Sequence, residues 1–422
     1  MERMDNKKLL IISSDSSDIQ FINAAKELGV YTVCCDRYDD YEISPAKKLA
    51  DQAWDIDYNN TDEIVAKCKE IGIDGVIAGY GEDRVMAAAK ISRLLGTKFY
   101  ATEEQIEFTR NKDEFKKSCI KNGVGVPKSW TEADYYDGKI KYPVIIKPAD
   151  NGGRKGISVC QGPDTFEKDI EEAKKFSKNG EAIIEEYLTG VELLSVYTIA
   201  DGEISLSCLN DKYITEDQGG TSRLCNLTLS PSKYYNEYLE TVDSGVRSLL
   251  KEMGAKNGVA NFQFIATDNG IKAFEMGFRV NGNNDFKVIS DANGINFMKM
   301  LISYSCTGSM GDDLEKDNPC FEKFYCTYVV LLKAGTIGKV DYTKLESNGF
   351  VDDISITKKV GDIVQNTGTN TQKAGMIKFS VGTIDEVKKK IQYIQDNLLI
   401  ESIDGENMCM AKFDTNRLKG YK

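Results

Sequence analysis

The stretch Val259–Val280 constrains the fold of this 422-residue chain most, because its pattern is that of a β-hairpin. A strand-like run, Val259–Thr267, precedes the turn sequence Asp268–Gly270, and a second run, Ile271–Met276, follows it. Asp-Asn-Gly between two apolar runs is a strong hairpin signal. The hairpin therefore fixes which polar side chains of the two strands share a face of the sheet.

The length of the hairpin loop decides which side chains meet. A two-residue loop, Asn269-Gly270, would place Gln263 opposite Met276, whereas a three-residue loop, Asp268–Gly270, would place Gln263 opposite Glu275. In the second register the two Cβ atoms would lie roughly 4.5–5.5 Å apart. We favour it because it unites the polar pair and two phenylalanines, which a one-residue slip would separate. The other pairs that it predicts are Thr267 with Ile271, Ile265 with Ala273, and Phe264 with Phe274.

Gln263 and Glu275 on one face, with Arg279 four residues after Glu275, suggest a site for a hard cation and phosphate. Oxygen ligands suit Mg²⁺, and Mg²⁺ in proteins commonly comes with phosphates. A solvated hairpin face without any ligand explains the same residues equally well. The rest of the chain has to decide between these interpretations.

The absence of histidine limits the chemistry more than any other feature of the composition. It excludes Ser-His-Asp and Cys-His catalysis and histidine-ligated metals, which leaves carboxylates, lysines, arginines and a hard metal. The net charge of −12 disfavours nucleic acid as a partner, and no apolar run reaches the ~18 residues of a membrane span. The eleven cysteines form no CxxC pair, and the N-terminus has no signal-peptide pattern. We therefore expect a cytoplasmic protein with reduced thiols.

The fold class predicted from the order of elements is α/β and α+β, in several domains. Strand and helix alternate over residues 1–100, which predicts a doubly wound parallel α/β domain. Its first turn, SSDSSD, lacks G-x-G-x-x-G, so an oxidoreductase with a dinucleotide site is disfavoured. We then expect a connector and small lid subdomain over 101–190, a larger subdomain with the hairpin over 191–310, and an α+β region over 311–422.

A lysine at a strand end precedes a glycine-rich loop in the second of these regions. The predicted strand Tyr142–Lys147 ends at Lys147, and the loop ADNGGRKGIS follows it directly. Glycine-rich backbone can surround phosphate oxygens, and lysine supplies a point charge. The spacing is not that of a Walker A loop, and an ordinary flexible hairpin would have the same composition.

The order of these parts resembles the ATP-grasp superfamily. It runs through Lys112, Lys147 with its glycine loop, IIEEYLTGVE at 183–192, and the hairpin with Gln263, Glu275 and Arg279. The chain is most similar to carboxylate–amine ligases, with biotin carboxylases and carbamoyl phosphate synthetase large subunits as further relatives. The resemblance covers the chain to about residue 300, and the remainder is similar to the C-terminal region of L-amino-acid ligases.

The resemblance implies an ATP site with a set of phosphate, adenine and ribose contacts. Lys112 and Lys147 would contact the phosphates, Glu185 would face the adenine amino group, and Glu192 would bind the ribose hydroxyls. The backbone implied to pair with the adenine edge is that of Glu186, Tyr187 and Leu188. The implied phosphate lid, expected to be mobile without nucleotide, consists of Gly152, Gly153, Gly156 and Ser158.

The resemblance also implies that Gln263 and Glu275 hold Mg²⁺ or Mn²⁺, and that Arg279 steadies the transferred phosphoryl group. The family motif is E-x-N-x-R, but this chain has Gly277 where the motif has its metal-binding asparagine. The favoured hairpin register offers Asn261 as a replacement because it lies opposite Gly277. The downstream asparagines, Asn281 and Asn283, are alternatives, and a site with one metal remains open.

The function implied is an ATP-dependent ligase that activates a carboxylate as an acyl phosphate and joins it to an amine, as in amino-acid ligation. Such phosphoryl transfer needs positioning and charge more than a histidine base. The implied partners are small carboxylates and amines, with a homodimer as the expected assembly and neither nucleic acid nor membrane. Two alternatives stay open, namely a bicarbonate-using carboxylase or carbamate enzyme, and a nucleotide sensor without catalysis.

Overall fold

The structure is a computed structural model that describes residues 1–149, 156–215, 224–282, 285–347, 349–410 and 412–421. Its N-terminal unit alternates strands and helices around one sheet. The elements are β1 Lys8–Ile12, α1 Ile19–Glu27, β2 Tyr31–Asp36, β3 Gln52–Asp55, α2 Thr61–Ile71, β4 Gly75–Ile77 and α3 Glu82–Leu95. All four strands are parallel in the order β3-β2-β1-β4, which confirms the doubly wound prediction.

Two helices connect this unit to a small antiparallel sheet. The elements are α4 Glu103–Arg110, α5 Lys112–Lys121, β5 Ser129–Trp130, α6 Glu132–Tyr136, β6 Val144–Pro148, β7 Ser158–Cys160, α7 Pro163–Lys175 and β8 Ala182–Glu186. The sheet has the order β5-β8-β6-β7. The side chain of Asn111 accepts hydrogen bonds from the backbone N–H groups of Asp113 and Glu114, so α5 begins at Lys112.

The rest of the chain builds an eight-stranded sheet and a three-stranded sheet. Its first elements are β9 Val191–Ala200, β10 Glu203–Ile214, β11 Cys225–Ser230, α8 Tyr235–Tyr238, α9 Ser244–Glu252, β12 Gly258–Thr267, β13 Gly270–Gly277, α10 Asp285–Asn293 and α11 Phe297–Thr307. Its last elements are β14 Phe324–Leu331, β15 Gly335–Asp341, α12 Thr343–Glu346, β16 Asp353–Ile356, β17 Ile363–Val364, β18 Lys373–Val381, α13 Ile384–Asn397 and β19 Leu399–Ser402.

The eight-stranded sheet crosses the boundary expected at residue 310. Its order is β13-β12-β9-β10-β11-β14-β18-β16, and β11 pairs with β14 along Leu227–Ser230. The smaller sheet has the order β17-β15-β19. Within the described residues, no helix combines the length and the apolar character that a membrane crossing requires.

The two faces of the eight-stranded sheet differ in chemistry because side chains alternate along each strand. Tyr197, Phe262 and Phe264 are fully buried on one face, where the ring centroids of Tyr197 and Phe262 lie 5.9 Å apart. Phe115 of α5 covers this face, at 6.3 Å from Phe262. The residues that alternate with them, such as Gln263, therefore point to the opposite, more polar face, where Gln263 lies between Glu275 and the apolar Leu194.

The β12–β13 hairpin confirms the predicted polar pair but not the predicted loop. Gln263 lies opposite Glu275, and Asn261 lies opposite Gly277. Thr267 pairs with Gly270, so the loop is Asp268-Asn269, and both loop alternatives considered from the sequence are wrong.

The apolar pairs of the hairpin also differ from the prediction. Phe264 pairs with Ala273 and Ile265 with Lys272. Phe274 is an extra residue in β13, at a register shift between the pairs of Gln263 and Phe264. This β-bulge compensates for the shorter loop, because it moves Glu275 back opposite Gln263.

Candidate active site

The predicted metal pair lies on the polar face of the large sheet. Glu275 is exposed and Gln263 is half-buried. Lys212 of β10 approaches them, with its Nζ 3.5 Å from Gln263 Oε1 and 3.4 Å from Glu192 Oε2. Carboxylate and amide oxygens are ligands that Mg²⁺ accepts, so the pair fits a hard cation. Such a cation would compete with the ammonium group of Lys212 for Gln263.

Acidic side chains alone do not complete a metal site here. Across the described ranges, no group of three or more cysteine, aspartate and glutamate side chains is close enough to hold a metal ion. Any metal bound between Gln263 and Glu275 would therefore need phosphate or water oxygens as further ligands. Mg²⁺ commonly has such a coordination shell in sites that bind nucleotides.

The two asparagines proposed as substitutes for the family ligand contact each other. Asn281 Nδ2 donates to Asn261 Oδ1 over 2.7 Å, and Asn261 Nδ2 donates to the backbone carbonyl of Arg279. Both side chains are buried. Asn261 thus fixes the backbone at Arg279 and keeps one lone pair of Oδ1 for another partner. Its role as a metal ligand stays a prediction, and Asn283 lies outside the described residues.

Arg279, at the end of the hairpin, reaches toward the N-terminal unit. Its Nη2 lies 3.2 Å from Oε1 of Glu82, the first residue of α3, and its Nη1 donates to the carbonyl of Val280 over 3.0 Å. Arg279 Nε is buried and has no hydrogen-bond partner in the structure. An unpaired donor on a guanidinium group is available to an anionic ligand.

A buried cluster of two lysines and one glutamate lies in the small sheet. Glu185 of β8 forms ion pairs with Lys147 of β6, whose Nζ lies 2.7 Å from Oε2, and with Lys116 of α5 at its other oxygen. Lys116 Nζ also donates to Ser129 Oγ over 2.7 Å. Burial would raise the pKa of Glu185, but the two ammonium groups hold this pKa below its usual range. The carboxylate predicted to face adenine is thus already engaged by lysines.

The remaining predicted phosphate contacts lie around the same sheet. Lys112 Nζ donates to the carbonyl of Ala149 over 3.4 Å, so its ammonium group lies beside the start of the glycine loop. Gly156 has a φ of +72°, and a Cβ there would approach the Phe176 side chain to 2.8 Å. Ser158 pairs with Ile146, and its Oγ is buried without a hydrogen-bond partner. Two predicted lid residues, Gly152 and Gly153, lie outside the described residues.

The segment after β8 is fixed by bonds of its own. The backbone N–H of Glu186 donates to the carbonyl of Lys128 over 2.8 Å, and that of Tyr187 donates to the carbonyl of Pro143 over 3.3 Å. Glu186 also forms an ion pair with Lys272 of β13 over 2.7 Å. Of the three predicted adenine contacts, the backbone N–H of Leu188 is the one with no backbone partner among the described residues.

Three residues of this site were not predicted from the sequence. Lys116 follows Lys112 by four positions, which places both on one face of α5, and that spacing was a usable signal. Lys212 alternates with the buried Asp211 and Tyr213 along β10. Glu82 left no signal, because only the folded chain brings α3 to the end of β13.

The chemistry of the site separates into two groups. The lysines lie at the small sheet, where their charge would neutralise phosphates. The carboxylate and amide oxygens lie on the large sheet, where they could bind a hard cation. Gly190 connects the two sheets at a close approach, since a Cβ there would lie 1.9 Å from the Ala266 carbonyl oxygen. A nucleotide triphosphate with its metal is a ligand that needs both groups.

Comparison with known proteins agrees with this arrangement. Residues 104–306 match the family described as carbamoyl-phosphate synthase L chain, ATP binding domain. The 2-oxoglutarate carboxylase small subunit of Hydrogenobacter thermophilus is 26% identical over 298 residues, which are 65% of this chain and 61% of that protein. This chain thus matches less than two thirds of that relative.

Solved structures share the fold at lower identity. The L-amino acid ligase of Bacillus licheniformis has a TM-score of 0.79 and 18% identity, with 95% of this chain and 100% of that chain covered. The phosphoribosylglycinamide synthetase of Anaerococcus prevotii has a TM-score of 0.75 and 20% identity, with 94% and 99% covered.

The fold is that of the ATP-grasp enzymes, in agreement with the resemblance stated from the sequence. Residues 104–306, a little under half of the chain, match the model of the ATP-binding domain of the carbamoyl-phosphate synthase L chain. The description of this family specifies ATP binding.

Proposed function

We propose that this protein is an ATP-dependent ligase that activates a carboxylate as an acyl phosphate and joins it to an amine. The observation that carries the proposal is the opposition of Gln263 and Glu275 on the polar face, with Arg279 two residues after the end of β13. This arrangement combines ligands for a hard cation with a guanidinium group that has an unpaired donor. Phosphoryl transfer to a carboxylate needs these groups.

In the proposed first step, a carboxylate oxygen of the substrate attacks the γ-phosphorus of ATP, and ADP leaves. Lys112 and Lys147 would offset the charge of the phosphates, and Gln263 and Glu275 would hold Mg²⁺. The metal would neutralise charge on the phosphate oxygens. Arg279 would meet the charge that develops on the transferred group. Because Lys147 now pairs with Glu185, it would be shared between this carboxylate and the phosphates.

In the proposed second step, the amine nitrogen attacks the acyl carbon, a C–N bond forms, and phosphate leaves. The proton lost by the amine passes to a carboxylate or to water, so no histidine is required. The sum of both steps converts acid, amine and ATP into amide, ADP and phosphate. Small carboxylates and amines are therefore the proposed substrates.

The test is a screen for ADP release with pairs of small acids and amines in the presence of ATP and Mg²⁺. With the acid found in this way and no amine, hydroxylamine should intercept the acyl phosphate as a hydroxamate. Release of ADP without any hydroxamate would contradict the acyl phosphate. Release that requires bicarbonate would favour carboxylation, the reaction that the name of the Hydrogenobacter relative indicates.

Substitutions separate the roles within the site. Glu275→Gln and Arg279→Ala should each lower kcat by about 10²–10³, the effect of losing one contact to the transition state. Glu192→Ala, at the implied ribose position, should chiefly raise the KM for ATP. Glu203→Gln, at an exposed glutamate of the same sheet, is the matched control and should leave turnover unchanged.

Two results would contradict the proposal. Full turnover in Arg279→Ala would remove the guanidinium group from the mechanism. ATP binding without ADP release over the whole screen would favour the alternative of a nucleotide sensor without catalysis.

A further inference from the structure

A buried asparagine of β10 lies on the polar face of the large sheet, beside the predicted metal pair. Asn210 is in the same row as Gln263, because Leu194 of β9 pairs with both and directly paired residues share a face. Two strand spacings separate Asn210 from Gln263, or roughly 10 Å. Asn210 is only 1% exposed, so its amide needs partners inside the protein.

Asn210 has hydrogen-bond partners at both ends of its amide. Its Oδ1 accepts from the hydroxyl of Ser230 in β11 and from the thiol of Cys208, whose Sγ lies 2.8 Å away. Its Nδ2 donates to Oδ1 of Asp285, the first residue of α10, over 2.9 Å. All of these side chains are buried. Asn210 therefore connects β10 and β11 to the start of α10 in one fixed orientation.

The carboxylate of Asp285 extends this connection to a second amide. Burial raises the pKa of Asp285, and hydrogen bonds from Asn281 and Asn210 are among the effects that oppose that rise. An asparagine side chain has two N–H donors, so Asn281 can serve Asp285 and another acceptor at the same time. Asp285 thus orients one amide on β10 and a second amide that follows the hairpin.

The other acceptor of Asn281 is Asn261 of β12. Asn281 Nδ2 donates to Asn261 Oδ1 over 2.7 Å, and Asn261 Nδ2 donates to the backbone carbonyl of Arg279. The paired part of the hairpin ends with Asn261 and Gly277, two residues before Arg279. The contact from Asn261 therefore holds the backbone of Arg279 beyond the last pair of the two strands.

We propose that Asp285 is a positioning residue for Arg279, and that the hydrogen-bond chain Asn210–Asp285–Asn281–Asn261 carries its effect to the Arg279 backbone. The inference rests on the proposed function, in which the Arg279 guanidinium group meets the charge that develops on the transferred phosphoryl group. Asp285 itself contacts neither nucleotide nor substrate in this role. Displacing a reacting or stabilising group by about 1 Å can cost on the order of 10²-fold in rate, so a distant anchor of Arg279 affects turnover.

The experiment measures steady-state ADP release by Asp285→Asn and by the wild-type protein, with the acid found in the substrate screen. Asparagine has nearly the same shape, but it places an N–H group where Asn210 or Asn281 requires an acceptor. We expect kcat to fall by about 10- to 100-fold, the range for a hydrogen bond to a charged group, with an unchanged KM for ATP. An unchanged kcat, or a change in KM alone, would overturn the inference. If Asp285→Asn fails to fold, Asn210→Ala removes the same contact from the other side and is judged by the same outcomes.

Two double variants distinguish positioning from a purely structural role. In an Arg279→Ala background, Asp285→Asn should lower kcat no further, because the group that Asp285 positions is already gone. The exchange Asn210→Asp with Asp285→Asn should recover most of the lost kcat, since it again places a carboxylate opposite an amide. A further loss in the Arg279→Ala background would overturn the inference, and so would an exchange variant that folds without recovering kcat.

Asp317→Asn is the matched control, because Asp317 is held by the same kinds of group. Its carboxylate accepts from Asn293 Nδ2 over 2.8 Å and from Ser207 Oγ over 2.6 Å, and these contacts are not part of the chain to Arg279. The control should keep the wild-type kcat. Equal losses of kcat in Asp317→Asn and Asp285→Asn would overturn the inference.

Hydroxylamine shows which chemical step depends on Asp285. Because Arg279 acts in the proposed first step, Asp285→Asn should lower hydroxamate formation by the same factor as ADP release. Wild-type hydroxamate formation together with reduced amide formation would assign Asp285 to the amine step and overturn the inference. Absence of hydroxamate from the wild-type protein with every acid tested would instead refute the ligase on which the inference rests.

Discussion

Replacing Lys116 with methionine tests whether the buried carboxylate of Glu185 depends on two ammonium groups. The side chains of Lys116, Glu185 and Lys147 are 8%, 2% and 11% exposed, so water screens their interactions little. Methionine retains most of the volume of the lysine stem but removes its charge and the hydrogen bond to Ser129. The substitution therefore isolates the electrostatic contribution from the packing contribution.

The expected loss of stability follows from what remains around Glu185. Removing the only partner of a buried ion costs about 3–5 kcal/mol. Here Lys147 stays 2.7 Å from Oε2, so we expect the smaller loss of one hydrogen bond between charged groups, about 1.5–3 kcal/mol. Lys121→Met, at an exposed lysine of the same helix, should change the free energy of unfolding by less than about 0.5 kcal/mol.

The pH dependence of this loss has a definite sign. The pKa of Glu185 in the folded protein lies below its unfolded value of about 4.5, so its ionised form stabilises the fold above that pH. The stabilisation disappears as the pH falls through the lower, folded pKa. In Lys116→Met this stabilisation is smaller, so wild type and variant should converge as the pH falls below 4.5.

Urea unfolding followed by the fluorescence of Trp130 is the appropriate assay. Trp130 pairs with Ile184, next to Glu185, and a Trp54→Phe background removes the only other tryptophan. Its signal reports the small sheet, which matters because a multidomain chain need not unfold in one step. Equal midpoints for Lys116→Met and Lys121→Met, or a difference that does not change with pH, would refute the reasoning.

Three further predictions concern positions around the site. Glu82→Gln should lower kcat without raising the KM for ATP, because it releases Arg279 from its ion pair. Steady-state kinetics measures both constants, and a change in KM alone would contradict this prediction. Gly277→Asn should lower the Mg²⁺ concentration needed for half-maximal turnover, since the nearest atoms to a Cβ there lie 3.7 Å away; an unchanged titration would argue against a second metal. Gly190→Ala should destabilise the protein by about 1–3 kcal/mol in thermal unfolding, because its φ of +150° and its contact with Ala266 exclude a Cβ.

Local patterns predicted the N-terminal unit and the polar hairpin pair, but not how the hairpin achieves its register. The helices Thr61–Ile71 and Glu82–Leu95 are each followed by a glycine in the left-handed conformation, a stop signal that is visible in the sequence. The bulge at Phe274 carries no such signal, because an extra residue in a strand looks the same as a longer loop. The pairing of Gln263 with Glu275 is correct because it was chosen to place the two polar side chains of the hairpin opposite each other.

Contacts between distant elements could not be predicted, and they carry much of the site. Lys116 resembles an exposed helical lysine until β8 supplies Glu185. Lys378 is unremarkable in the sequence, since only the pairing of β10, β11, β14 and β18 places it on the same face as Lys212. The sequence pattern predicts which residues form strands. Which side chains meet depends on the pairing of strands that are far apart in the chain.

That strand order also bears on the C-terminal region, which resembled its relatives least. β14 and β18 extend the sheet that carries Gln263, and the apolar face beneath them joins Leu227 and Leu229 to Phe379 in one buried cluster. Residues after 310 therefore share a hydrophobic core with β11 and do not form a separate domain. Lys378 of β18 and Gln263 of β12 therefore lie in one continuous sheet, so the C-terminal region and the predicted metal pair share a structural element.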